Sequence, residues 1–217
     1  MIRLIPGLPE NKTHRVLCLG AHCDDIEIGC GGMLLQHTRC HPNCEVKWVV
    51  FSSNETREKE ARISAELFLK DAKKSDVVIE KFKDGFFPSY SEQIKEYFEK
   101  IKENFSPDII LTHYREDLHQ DHRKISELTW NTFRNHLILE YEIQKYDGDL
   151  GRPNVFIPLE VTVCKEKTRI IIDSFSSQHV RSWFDEETFY SLMRLRGLES
   201  NSPSRYAEAF YGRKVLL

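Results

Sequence analysis

Val16-Leu17-Cys18-Leu19-Gly20, running directly into Ala21-His22-Cys23-Asp24-Asp25-Ile26-Glu27-Ile28-Gly29, decides the fold. A short uninterrupted apolar run that stops at a turn reads as a strand buried on both faces, as in a parallel sheet. The polar cluster begins where that strand ends, and a short helix is expected near Met33–Gln36. Strand, turn and helix in this order form the opening half of a crossover unit.

The same alternation repeats along the chain. Val46–Phe51 is a predicted second strand, and the alanines and leucines of Glu55–Lys70 recur at helical steps. Val77–Ile79 is a third strand and Ser91–Asn104 a helix with Ser91 and Glu92 at its start. Asp108–His113, introduced by Pro107, is a fourth strand, and a helix is expected from about His119 to His136. Strands alternating with helices of this length predict an α/β fold with a doubly wound, mostly parallel sheet, Rossmann-like, over residues 14–140. Beyond Glu140 the texture changes. Tyr146–Asn154 reads as a loop, Val155–Val163 as extended, and Lys165–Phe175 and Glu186–Leu198 as helices. Residues 141–217 are therefore expected as a C-terminal extension packed on the sheet, with 1–217 a single domain.

Composition narrows the function classes. The 217 residues are 40% hydrophobic and 30% charged, with a net charge of -3. That balance offers no basic surface for a nucleic acid or an anionic membrane. No window approaches the ~18 apolar residues of a spanning helix, and Met1–Arg15 lacks the apolar run of a signal peptide. A soluble, cytoplasmic protein is the expectation. Cys18, Cys23, Cys30, Cys40, Cys44 and Cys164 are expected as reduced thiols, because a domain this long needs no disulfide staples.

Ligands of open parallel sheets bind outside the carboxyl ends of the strands. Two dense polar clusters fall there: the one opening at Ala21-His22, and His113-Tyr114-Arg115-Glu116-Asp117-Leu118-His119-Gln120-Asp121-His122-Arg123. In the common order 3-2-1-4-5 the strands that carry them are neighbours, and the clusters face one crevice. His22 and Asp25 are three residues apart, so one turn can bring both to a single ion; Asp24, pointing elsewhere, is free for proton transfer. His119 and His122 share the same spacing. Two imidazoles and a carboxylate form a common open zinc set, and a cation there would acidify water. The competing reading is that the paired aspartates cap a helix.

A second cluster, His37, Cys40, His41 and Cys44 with Cys30 as a further ligand, could hold a structural zinc ion, or be a loop around Pro42. Gly29, Gly31 and Gly32 do not follow the order of a dinucleotide-binding turn, and there is no G-x-S-x-G nucleophile elbow.

The stretches AHCDDIEIGCGG (21–32) and HQDHR (119–123), with YAEAF (206–210), resemble the PIG-L (LmbE-like) family of zinc-dependent N-acetyl-sugar deacetylases. The family pattern is A-H-P-D-D-x-E/L after the first strand and H-P-D-H after the fourth. The resemblance implies a metal, Zn2+ or another divalent ion such as Fe2+, held by His22, Asp25 and His122, with Asp24 as general base. It implies that His119, assisted by Asp121, stabilises an oxyanion or protonates the leaving amine; Asp24 is the other candidate for that proton. It makes Arg57, just after the second strand, a sugar- or phosphate-binding residue, against the plainer reading of a solvated helix start. The implied substrate is a small N-acetyl amino-sugar conjugate, and a homo-oligomer is compatible with the family. An amidase acting on another acyl or thiol conjugate, and a non-catalytic sugar- or nucleotide-binding module, are the rival readings. Asp147-Gly148-Asp149 either covers the sugar or is an ordinary turn, and Glu208 reads as structural. Cys23 and Gln120 stand where the family carries prolines, which loosens both turns without removing a ligand or the base.

Overall fold

The computed structural model describes residues 12–215. The expectation for the first eleven residues lies outside them. Alternate residues of β1 (His14–Gly20) point to opposite faces of the sheet: Val16 and Cys18 enter one apolar core, Leu17 and Leu19 the other. A strand buried on both sides has no polar face, which is why its sequence reads as a continuous run.

α1 (Asp25–Cys40) leads to β2 (Cys44–Val50), then α2 (Glu55–Phe68), β3 (Lys74–Ile79), α3 (Ser91–Asn104), β4 (Ile109–His113), α4 (Gln120–Thr132) and β5 (Leu137–Tyr141). These five strands are parallel, in the order β3-β2-β1-β4-β5. The chain then adds β6 (Val155–Pro158), α5 (Val161–Ser174), α6 (Glu186–Glu199) and β7 (Ala207–Gly212). β7 runs antiparallel between β5 and β6, so the full order is β3-β2-β1-β4-β5-β7-β6. α3 and α4 cover one face; α1, α2, α5 and α6 cover the other. No helix among the described residues is long and apolar enough to cross a membrane.

Five elements depart from the expectation. α1 is sixteen residues long and begins at Asp25, where a short helix at 33–36 was expected. It is buried on almost every side, so its sequence has no polar stripe to betray the helical period. α4 stops at Thr132, and the residues after it turn and enter β5, an unanticipated strand. α5 begins at Val161, four residues before the expected start, and shortens the extended segment. β7 was also unanticipated, and through it and β6 the C-terminal part extends the sheet as well as packing on it.

The glycines of α1 are packing devices. A Cβ on Gly29 would lie 2.2 Å from the Tyr141 ring, and one on Gly32 would lie 2.6 Å from Leu159 and 2.9 Å from Glu208 Oε1. Glu208 uses that closeness. Its carboxylate accepts the backbone N–H of Gly32 (2.7 Å) and of Met33 (2.6 Å), and pairs with Lys167 Nζ (2.7 Å). Lys167 in turn donates to Ile28 O at 2.6 Å. An ion pair from α5 and β7 is thus inserted beside the middle of α1. Both side chains are buried. Glu208→Ala should strand the Lys167 ammonium without a counter-charge and cost about 3–5 kcal/mol. Thermal unfolding followed by circular dichroism should show a fall in Tm on the order of 10 °C.

Candidate metal centre

The adjacency of β1 and β4 creates the site. β1 ends at Gly20 and α1 opens five residues later; β4 ends at His113 and α4 opens at Gln120. The two loops between them face each other at the carboxyl edge of the sheet, and both helices direct their N-termini there. Asp25, the first residue of α1, accepts the His22 backbone N–H at 2.6 Å and so closes its own loop. His119 caps α4, its Nδ1 accepting from the Asp121 N–H at 3.2 Å. Asp24 occupies the cap position of α1 and its side chain makes no capping hydrogen bond, which removes the helix-cap reading for it.

His22, Asp25 and His122 converge. His22 Nδ1 lies 3.2 Å from His122 Nε2, and the two Asp25 oxygens stand 3.5 Å from His22 Nδ1 and 3.5 Å from His122 Nε2. Donors ~2.0–2.1 Å from a tetrahedral ion are separated by about 3.3 Å, so the set fits a divalent metal such as zinc. The outer nitrogens support this. His122 Nδ1 donates to Asp117 Oδ2 at 2.9 Å, which leaves the Nε2 lone pair facing the site. His22 Nε2 meets Asp84 Oδ1 at 3.1 Å and Asp121 Oδ2 at 3.3 Å, which leaves Nδ1 inward. Carboxylates behind imidazoles orient metal ligands in this way.

Burial would raise Asp25, but His122, His113 and His22 outweigh it and hold the carboxyl well below its ordinary range. Burial, with His113 close by, pushes His122 down to about 4, which keeps the ring neutral and able to ligate. Burial would also lower His22, yet Asp121, Asp25 and Asp84 prevail and raise it.

Asp24 stands beside this set but faces Arg57, whose Nη2 lies 2.9 Å from its Oδ1. Arg57 also donates to Cys23 O at 3.1 Å and lies over the Phe175 ring. The arginine thus packs against Asp24, and is neither a solvated helix residue nor extended into open space. Burial raises the Asp24 pKa against the pull of Arg57, with Asp25 adding to the rise. Cys23 is buried, its thiol donating to Ser52 O at 3.3 Å and pushed up by burial, which leaves it a protonated packing group.

The carboxylate of Asp121 does not support His119. It accepts the backbone N–H of Gly85 (2.7 Å) and Phe87 (3.0 Å) and faces His22, while only its backbone amide reaches the His119 ring. Asp149 accepts from Leu118 N at 2.7 Å and pairs with Lys145, which also binds Asp117 Oδ2 at 2.9 Å. The 147–149 loop is accordingly tied to the segment that carries His119. In the other cluster, Cys40 is exposed while Cys30 and Cys44 are core residues, so the cysteines do not join the histidines.

Sequence reasoning missed three residues. His113 takes the Ala21 N–H on Nε2 at 2.9 Å, stacks on His122 with ring centroids 4.0 Å apart, and lies 3.2 Å from Asp25 Oδ2. Asp117 lay in the quoted cluster, and its distance of five residues from His122 was a usable signal. Asp84 had no signal except that it follows β3 at the same sheet edge.

A doubly wound sheet with this donor set at its switch point defines an α/β protein with a candidate metal centre at the carboxyl edge of its strands. A family model described as GlcNAc-PI de-N-acetylase (PIG-L) matches residues 17–133, more than half of the chain, and the chain belongs to the PIG-L family. Among solved structures, it is similar to the conserved protein TT1542 from Thermus thermophilus (18% identity, TM-score 0.70, covering 93% of this chain and 96% of that one). It is similar to N,N'-diacetylchitobiose deacetylase from Pyrococcus horikoshii (20%, 0.68, 93% and 84%). It is also similar to GalB, the 4-carboxy-2-hydroxymuconate hydratase of Pseudomonas putida (15%, 0.73, 94% and 98%). At such identities these likenesses speak to the fold.

Two outcomes follow from the geometry. Asp117→Ala frees the outer nitrogen of His122 and should weaken zinc binding about 10–100-fold in a competition titration. Glu27, in the first turn of α1, is buried with no hydrogen-bond partner for either oxygen among the described residues, and burial pushes it up to about 8. The folded chain therefore holds this proton more tightly than the unfolded chain does. The stability it contributes is full below the unfolded value of 4.5 and is lost as pH rises through 8. In metal-free protein, the Tm advantage of Glu27→Gln over wild type should widen from about pH 6 to about pH 9.

Proposed function

We propose that the protein is a metal-dependent hydrolase that removes the N-acetyl group from an N-acetyl amino-sugar conjugate. The carrying observation is a three-donor set, His22, Asp25 and His122, with a separate acid, Asp24, beside it and outside the ligand positions. A purely structural metal site has no use for such an acid. Membership of a family described by a de-N-acetylase supports the choice of an acetamido group.

The three ligands would hold a divalent ion, Zn2+ or Fe2+, that supplies Lewis-acid polarisation of the amide and lowers the pKa of water. Asp24, with its raised pKa, takes the proton of the attacking water, and Arg57 keeps its carboxylate aimed and anionic. His119 accepts the Asp121 amide on Nδ1, so in the neutral ring the proton sits on Nε2 and is available to the developing oxyanion. Burial and His22 lower the His119 pKa, which favours that neutral donor over an imidazolium. The proton gathered by Asp24 then passes to the departing amine. Asp121 serves as a positioning residue for His22 and the 85–87 turn. Arg57 is primarily a positioning residue for Asp24, and any sugar contact it makes is in addition to that pairing.

The fold shared with a hydratase favours one second reading, addition of water to a conjugated double bond by the same base. Metal-reconstituted protein incubated with N-acetylated sugar conjugates should release acetate and free amine in equal amounts. Asp24→Asn should retain the metal and lose roughly 100-fold or more in kcat. Full activity in that variant, or hydration of an enoate with no acetate release, would overturn the assignment.

A further inference from the structure

At the opposite end of α1, a second group of donors is assembled that the proposed reaction does not use. His14 opens β1, His37 lies in the last turn of α1, and His41 follows that helix directly. His37 and His41 are four residues apart and share a helix face. The three rings crowd together, with centroids 4.3 Å (His37–His41), 4.4 Å (His14–His41) and 5.5 Å (His14–His37) apart. Each offers a ring nitrogen within 4.8 Å of the others.

The hydrogen bonding is incomplete in an informative way. His14 is only 3% exposed, and its Nδ1 is buried without a hydrogen-bond partner among the described residues; so is Nε2 of His37. Buried ring nitrogens left unpaired are costly, at about 1–3 kcal/mol each. His41 is different: its Nδ1 donates to His37 O at 3.0 Å, which fixes the proton there and leaves Nε2 with a free lone pair. A backbone carbonyl behind one ring nitrogen is the usual support of a metal-bound imidazole. Burial and the two neighbouring rings push His37 down to about 4, so it is neutral at physiological pH.

We propose that His14, His37 and His41 form a second divalent-metal site, a three-imidazole set for Zn2+, Co2+, Ni2+ or Cu2+ with an open fourth position. Three imidazole donors select these borderline ions over Mg2+ and Ca2+, which prefer oxygen. Cys44, three residues after His41, is buried with its thiol pushed up to about 12, and does not contribute. The sixteen residues of α1 put this site about 24 Å from the first centre, so the two ions are independent. An ion here clips the first residue of β1 to the end of α1, across the base of the unit whose other end carries His22 and Asp25. The proposal does not depend on the reaction catalysed at the first centre.

The test is metal stoichiometry on the full chain. Wild-type protein saturated with Zn2+ and passed through a desalting column should retain two equivalents by elemental analysis. His41→Gln, at a half-buried position, and His37→Gln should each retain one, with acetate release undiminished in His41→Gln. In His122→Asn, which cripples the first centre, Co2+ should still give a visible absorption band and raise Tm by about 5 °C or more, both lost when His41→Gln is added. A single equivalent in wild type, or two in His41→Gln, would overturn the site. Loss of activity in Asp24→Asn with two equivalents retained would leave it standing.

Discussion

Two imidazole nitrogens, His22 Nδ1 and His122 Nε2, stand 3.2 Å apart, a spacing that requires a proton or a cation between them. The surrounding structure holds them in that position. Asp117 and Lys145 fix one ring from behind; Asp84 and Asp121 fix the other. Asp121 is itself held by the backbone of Gly85 and Phe87, so the loop after β3 takes part in orienting His22, which follows β1. None of this would converge without β1 and β4 as neighbours, and the sheet order is therefore a condition of the chemistry.

α1 links the two ends of that arrangement. Its first residue is a candidate ligand, its middle receives the Lys167–Glu208 pair, and its glycines let Tyr141 and Leu159 approach the backbone. A helix so enclosed cannot shift without disturbing both cores. The C-terminal part of the chain thus contributes to the site indirectly, by supplying buried counter-charges and packing surface to the helix that presents Asp25. Elsewhere in that part the Arg196–Glu142 pair ties α6 to the segment after β5, and Glu142 also accepts the Tyr211 hydroxyl of β7 at 2.9 Å.

The parallel half of the fold was legible because β1 and β4 carry continuous apolar runs, Val46–Phe51 is apolar but for Lys47, and the amphipathic helices α2, α3 and α4 recur between or after the strands. The carboxyl-edge rule then places His22, Asp25, His119 and His122 in one crevice from the order of elements alone. β5 and β7 were not legible: Leu137–Tyr141 carries Glu140 and Ala207–Gly212 carries Glu208, and such charges argue against buried strands unless the partners are known. Those partners, Arg213 and Trp130 for Glu140 and Lys167 for Glu208, lie far away in the chain or on another element. The role of Asp121 was misread for a similar reason. The family resemblance implied a partner of His119, whereas the first turn of α4 directs the carboxylate toward His22.

The placement of β7 bears on how the chain assembles during synthesis. Among the described residues β6 pairs with β7 alone, and β7 comes some fifty residues later. Until the ribosome has delivered Ala207–Gly212, Val155–Pro158 has no strand to join, β5 is an open edge, and Lys167 lacks its anion. The parallel half can form earlier, but the polypeptide must hold an unsatisfied sheet border until that last insertion seals it.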